Sequence, residues 1–173
     1  PVDKNMQFET FIINELVPYV DENYRTLATN KMRAVTGLSM GGHGAMYLAL
    51  RHPDVFGLAG SMSGGVDIRP FPENWEMKSR LGSLEENPDR WYEYSAIKQI
   101  PNIKNGDIKI IVDCGVNDFF AQVNRNFHQA LLEAGIDHDY IERPGVHNWP
   151  YWKNAIDYQL LFFQKGFEAN EAQ

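Results

Sequence analysis

The chain has 173 residues, of which 43% are hydrophobic and 23% charged, which is the size and balance of one folded domain and excludes a disordered tail. Its formal net charge of −7 excludes the dense Lys and Arg contacts that nucleic acid or an anionic membrane surface demands, and no stretch reaches the roughly 20 apolar residues of a membrane-spanning helix. A single cysteine, Cys114, excludes an intramolecular disulfide and a zinc site built from several thiolates.

In chain order, Phe8, Phe11, Ile12, Leu16, Tyr19 and Val20 form a helical stripe over residues 7–23, which Pro18 is expected to bend or end. Residues 32–36 read as a short strand running into Gly37, and residues 42–50 as a helix of small residues closed by His52 and Pro53. A second strand is expected over 56–62, ending at Ser63-Gly64-Gly65. Residues 64–106, with Pro70, Pro72, Pro88 and Pro101 and no long period, read as an irregular insertion carrying short helices near 75–80 and 88–94. The run Ile-Lys-Ile-Ile-Val marks a buried strand over 108–113. A helix follows over 119–134 and stops at Gly135. A strand over 139–142 and a last helix over 149–165 complete the set, with residues 166–173 expected to fray. This alternation predicts a single α/β domain over 1–173 whose four strands form one parallel sheet.

Between the first strand and its helix lies Gly37-Leu38-Ser39-Met40-Gly41, a G-x-S-x-G sequence in the strand–turn–helix context that gives the pattern meaning. A serine at such a turn is thrust above the sheet edge, and the glycines on either side leave room for strand and helix to approach. The helix N-terminus behind it favours developing negative charge, with the Met40 N–H as one oxyanion donor. A second donor from an early strand loop has no candidate here. Serine is a weak nucleophile without a base, and the base needs an orienting acid. Two later loops, both just past strand C-termini, offer them: Asp118 as acid and His147 as base. Asp118 also suits the N-cap of the 119–134 helix, and Asp113 at the strand end is the rival acid. Of the other histidines, His43 lies on the first turn after Ser39 and reads as packing or pocket lining. His52, His128 and His138 fall on surface or packed positions, and no histidine pair has metal-ligand spacing. Trp149, Tyr151 and Trp152 beside the base, with Phe71 and Trp75 in the insertion, read as the lining of an aromatic pocket or sugar platform, the alternative being that Trp149 and Trp152 anchor the last helix in the core.

These motifs, Thr36 to Ala45, Asp113-Cys114-Gly115-x-x-Asp118-Phe119-Phe120 and Gly145-x-His147-Asn148-Trp149, together resemble the esterase D-like branch of the α/β-hydrolases. That branch includes S-formylglutathione hydrolases and tributyrin, acetyl and feruloyl esterases. The resemblance spans nearly the whole chain and implies an α/β-hydrolase fold with a Ser39–His147–Asp118 triad. It implies a serine carboxylesterase, without cofactor or metal, acting on a small-molecule or carbohydrate ester of short-acyl or plant-polysaccharide type. The same triad would also serve an acyltransferase or thioesterase, and a hydrolase-like binding module is the non-enzymatic alternative. His43, Trp149 and Trp152 are the candidate substrate contacts. In that branch the nucleophile follows the fifth strand, whereas here only 38 residues precede it. The chain is therefore expected to be the C-terminal portion of a longer esterase. Its first strand would then have an open edge, to be covered by an absent N-terminal piece or by a second copy.

Overall fold

The structure is a computed structural model and describes residues 7–172. A helical run opens it in three sections: α1 (Phe8–Phe11), a π-helical turn (Ile12–Leu16) and α2 (Val17–Asn23). Pro18 does not end the run. The wider π turn comes just before it, and Pro18 stands at the start of α2, where a missing N–H costs least.

Strand β1 (Ala34–Leu38) leads into α3 (Met40–Arg51) and then β2 (Leu58–Met62). The insertion carries α4 (Met77–Leu81), α5 (Pro88–Glu93) and a 3-10 helix over Ala96–Asn102. Then come β3 (Lys109–Gly115), α6 (Ala121–Glu133), β4 (His138–Arg143) and α7 (Trp149–Glu171). The four strands pair in parallel, in the order β1-β2-β3-β4. Among the described residues, β1 is an edge strand. A groove of about 380 Å³ runs beside it, lined by Leu16, Val20, Leu27 and Val35 among others.

Alternation along the strands assigns the two faces. Ala59, Ile110 and Val112 pack with Met46 and Leu50 of α3 and with Phe127 and Leu131 of α6. Leu58 and Ile111 pack with Phe163, and Met62 with Trp152 and Ala155, so among the described residues α7 is the helix that covers the other face. The expected frayed tail is instead helical through Glu171. Gly166 lies so close to Leu58 that a Cβ would come within 2.3 Å of its Cδ2. Lys109 Nζ donates to the Gly166 carbonyl and to Asn170 Oδ1, each at 2.9 Å. Residue 173, the end of that expected tail, lies outside the described residues.

The register matters most for the site. Leu38 pairs with Met62, Met62 with Asp113, and Asp113 with Ile141. One rung therefore crosses the C-terminal ends of all four strands, and the loops carrying Ser39, Asp118 and His147 all leave the sheet beyond it. This is where open parallel sheets place ligands.

Candidate active site

Ser39 sits between β1 and α3 with φ 54° and ψ −117°, a backbone conformation that costs a residue with a side chain about 1–3 kcal/mol. The surroundings hold it there. Its N–H donates to the Met62 carbonyl at 2.9 Å, and its own carbonyl accepts from the His43 N–H at 3.1 Å. The two flanking glycines do different work. A Cβ on Gly37 would lie 2.5 Å from the Gly41 carbonyl carbon, so the tight turn requires Gly37. A Cβ on Gly41 would meet nothing within 4 Å. The close helix–sheet approach falls one residue later, at Gly42, where a Cβ would sit 2.7 Å from Ser61 Oγ.

His147 reaches this serine from the loop after β4, with Nε2 2.9 Å from Ser39 Oγ. Its Nδ1 lies 2.8 Å from Asp118 Oδ2 and 3.0 Å from Oδ1. The carboxylate fixes the tautomer: Nδ1–H donates to Asp118, which leaves Nε2 to accept from the serine hydroxyl. Asp118 is buried and its Oδ1 also accepts from the Phe120 N–H at 2.8 Å. It does not cap α6, whose N-cap is Phe120; the helix begins two residues later than expected because this turn intervenes.

Asp113 is engaged elsewhere. Its side chain is fully buried, Tyr151 donates a hydroxyl hydrogen bond to Oδ1 at 2.5 Å, and Arg143 Nη2 donates to Oδ2 at 2.5 Å. Burial raises the Asp113 pKa, against the lowering effect of both partners. Burial also pushes the neighbouring Cys114 thiol up to about 12, so it is no competing nucleophile at neutral pH.

The remaining candidates divide. Trp152 is buried and meets the His147 ring edge-on, centroids 4.9 Å apart, while packing against Met62 in the core; it is both anchor and site wall. Trp149 is 65% exposed and touches Trp152 edge-on at 5.4 Å. The Met40 side chain is 83% exposed beside the serine. His43 is not brought to the group: its Nε2–H donates to the Tyr94 carbonyl at 2.8 Å and its ring stacks on Tyr47, tying α3 to the insertion. Burial lowers the His43 pKa, with the Tyr94 bond opposing it. Phe119 and Phe120, which no sequence argument assigned a role, pack on His147 at 4.2 and 5.5 Å. The signal was their adjacency to Asp118: a turn that delivers the acid to the base also delivers its next two side chains. Gly65 permits this, since a Cβ there would press on Phe120 at 3.0 Å. Among the described residues, no group of three or more His, Cys, Asp or Glu is placed to hold a metal ion.

The chain has relatives among known proteins. Residues 2–163 match the Esterase family, described as "Putative esterase". A xylanase/feruloyl esterase of Xylanibacter ruminicola is 46% identical over 87% of this chain and 17% of its own length. The S-formylglutathione hydrolase of Arabidopsis thaliana is 34% identical over 79% of this chain and 52% of its own. A solved ferulic acid esterase superposes with a TM-score of 0.78 at 31% identity, over 92% of this chain and 61% of that one. The chain thus spans less than two thirds of the length of each of these relatives. With a parallel sheet flanked by helices and a family match over almost its full length, the chain belongs to the Esterase family of α/β-hydrolases.

Proposed function

We propose that this chain carries the catalytic centre of a serine carboxylesterase, with Ser39 as nucleophile, His147 as general base and Asp118 as orienting acid. The observation that carries this is the unbroken relay from Asp118 through His147 to Ser39, at 2.8 and 2.9 Å. His147 takes the hydroxyl proton as Oγ attacks the ester carbonyl, and Asp118 stabilises the imidazolium. The carbonyl oxygen, now negative, points at the Met40 N–H on the first turn of α3. Collapse expels the alcohol, protonated by His147, and leaves an acyl-enzyme. Water then attacks, giving its proton to His147, and the acid leaves as Ser39 regains its hydrogen.

The substrate is a small-molecule or carbohydrate ester of short-acyl or plant-polysaccharide type. The aromatic walls around His147 and the names of the relatives support this reading. A fluorophosphonate probe followed by peptide mapping tests the assignment without needing the natural ester. The expected adduct is on Ser39 and disappears in His147→Ala. An adduct on another residue, or labelling indifferent to His147, overturns it.

A further inference from the structure

Beyond the rings that touch His147, an aromatic ladder continues into the insertion. Trp75 lies 5.9 Å from Phe119 at an interplanar angle of 30°, and 5.3 Å from Phe120. Phe71 supports both Trp75, at 5.6 Å, and Phe120, edge-on at 5.1 Å. Trp75 and Phe119 nevertheless remain 54% and 53% exposed. Two large neighbouring apolar rings left half in water, beside a reactive pair, are what a binding face for an apolar or flat group looks like.

The backbone adds a second, independent observation. Trp75 and Glu76 are consecutive non-glycine residues with positive φ, 52° and 56°. Left-handed geometry disfavours residues with a Cβ, and two in succession are uncommon. Hydrogen bonds on both sides hold this turn: Met77 N–H to the Asn74 carbonyl at 3.1 Å, and Ser79 N–H and Oγ–H to the Glu76 carbonyl at 3.0 and 2.7 Å. The turn places the indole against Phe119 while leaving its other surface open. Strain of this kind persists only where its surroundings over-determine it.

The side of the ester is set by the chemistry. In the proposed mechanism the oxyanion faces Met40 and His147 Nε2 faces the leaving oxygen. A wall abutting the His147 ring through Phe119 therefore flanks the leaving alcohol. We propose that Trp75, with Phe119, is a specificity-determining residue that receives a ring, aromatic or sugar, on the alcohol side of the ester. This rests on the Ser39–His147 reading for its orientation.

The test has two arms. In the first, benzyl alcohol is titrated into the Ser39→Ala protein and followed by NMR, a measurement that needs no chemistry at Ser39. The expected result is saturable shifts at the Trp75 indole N–H and the Phe119 and His147 amides, weakened at least fivefold by Trp75→Leu. Ethanol at equal concentration should give none. Absence of shifts at these groups, or equal binding by Trp75→Leu, overturns the proposal. In the second arm, benzyl acetate and ethyl acetate are compared as substrates. Trp75→Leu should lower kcat/KM for the benzyl ester at least fivefold and leave the ethyl ester within twofold; an equal loss on both esters overturns the role in specificity. Should ring binding hold while Ser39→Ala retains esterase activity, the nucleophile assignment fails and the ring site stands. Glu76→Gly is the control for the turn: it should raise Tm and preserve benzyl alcohol binding, and a fall in Tm would show that the turn is not strained.

Discussion

The Tyr151 hydroxyl closes off the Asp113 carboxylate at 2.5 Å, and Arg143 takes its other oxygen, so the carboxylate near the end of β3 is structural in its contacts while Asp118, in the loop that follows, faces the base. The two acids can be separated experimentally. Asp113→Asn should cost about 1–3 kcal/mol in urea unfolding, the range for an impaired buried hydrogen-bonded group, and leave turnover of a short-acyl ester within severalfold. Asp118→Asn, equally buried and hydrogen-bonded, should cost a similar amount but lower kcat by about 10³–10⁴. The reverse pattern would make Asp113 the acid.

Ser39 offers a contrast between stability and chemistry. Ser39→Ala and Ser39→Gly should both abolish ester hydrolysis. Glycine alone relieves the φ of 54°, so Ser39→Gly should be more stable than Ser39→Ala by about 1 kcal/mol. Paired thermal melts read the difference directly.

The flanking glycines should behave oppositely. Gly37→Ala forces a methyl group into the Gly41 backbone, at 2.5 Å from its carbonyl carbon. A loss of more than about 2 kcal/mol, or failure to yield soluble protein, is expected. Gly41→Ala meets no neighbour and lies in α3, where alanine gains up to about 1 kcal/mol over glycine. Equal damage from the two substitutions would contradict this account of the turn.

Acid should loosen the insertion through Asp67. Burial works to raise this carboxyl pKa, but hydrogen bonds from the Arg69 side chain and backbone, with Ser95, outweigh it and the net shift is downward from 3.8. Because the folded state holds the depressed value, its stabilisation is complete above the ordinary carboxylate pKa and is lost as pH falls through the lowered one. Urea midpoints of Asp67→Asn should therefore fall less steeply than those of the parent between about pH 4 and pH 2.

Removing residues 166–173 should cost about 1–3 kcal/mol, since it takes away both Lys109 contacts and the Asn170 bond to the Lys31 carbonyl at 2.6 Å. An unchanged unfolding curve would mean that this last stretch of α7 contributes nothing.

What the sequence could convey divides along local and distant causes. Ser39, Asp118 and His147, which the fold brings within hydrogen-bond distance of one another, each stand in a short motif next to a strand end, and chain order restricts which can meet. The element boundaries were harder. Residues 30–32 form a 3-10 turn held by the Asn30 side chain on the Pro53 carbonyl, which moves β1 two residues later than its apolar pattern suggests. Gly37 looked like a strand terminator but lies inside β1, because its missing side chain answers to Gly41. The 3-10 helix over residues 96–102, with Pro101 inside it, gave no periodic signal. His43 reads as packing or pocket lining from its place after Ser39, and its bond to Tyr94, 51 residues away, decides for packing. The last helix runs on past residue 165, with Gly166 inside it in close contact with Leu58.

The side-by-side laying of β1, β2, β3 and β4 in chain order also sets an order in time. Synthesis delivers Ser39 with β1, and His147 only 108 residues later, ahead of α7, which packs on the sheet's second face. Until the loop after β4 has emerged, the Ser39 hydroxyl lacks its imidazole partner. On the proposed assignment, a nascent chain that has not reached residue 147 therefore lacks the base that would activate its serine.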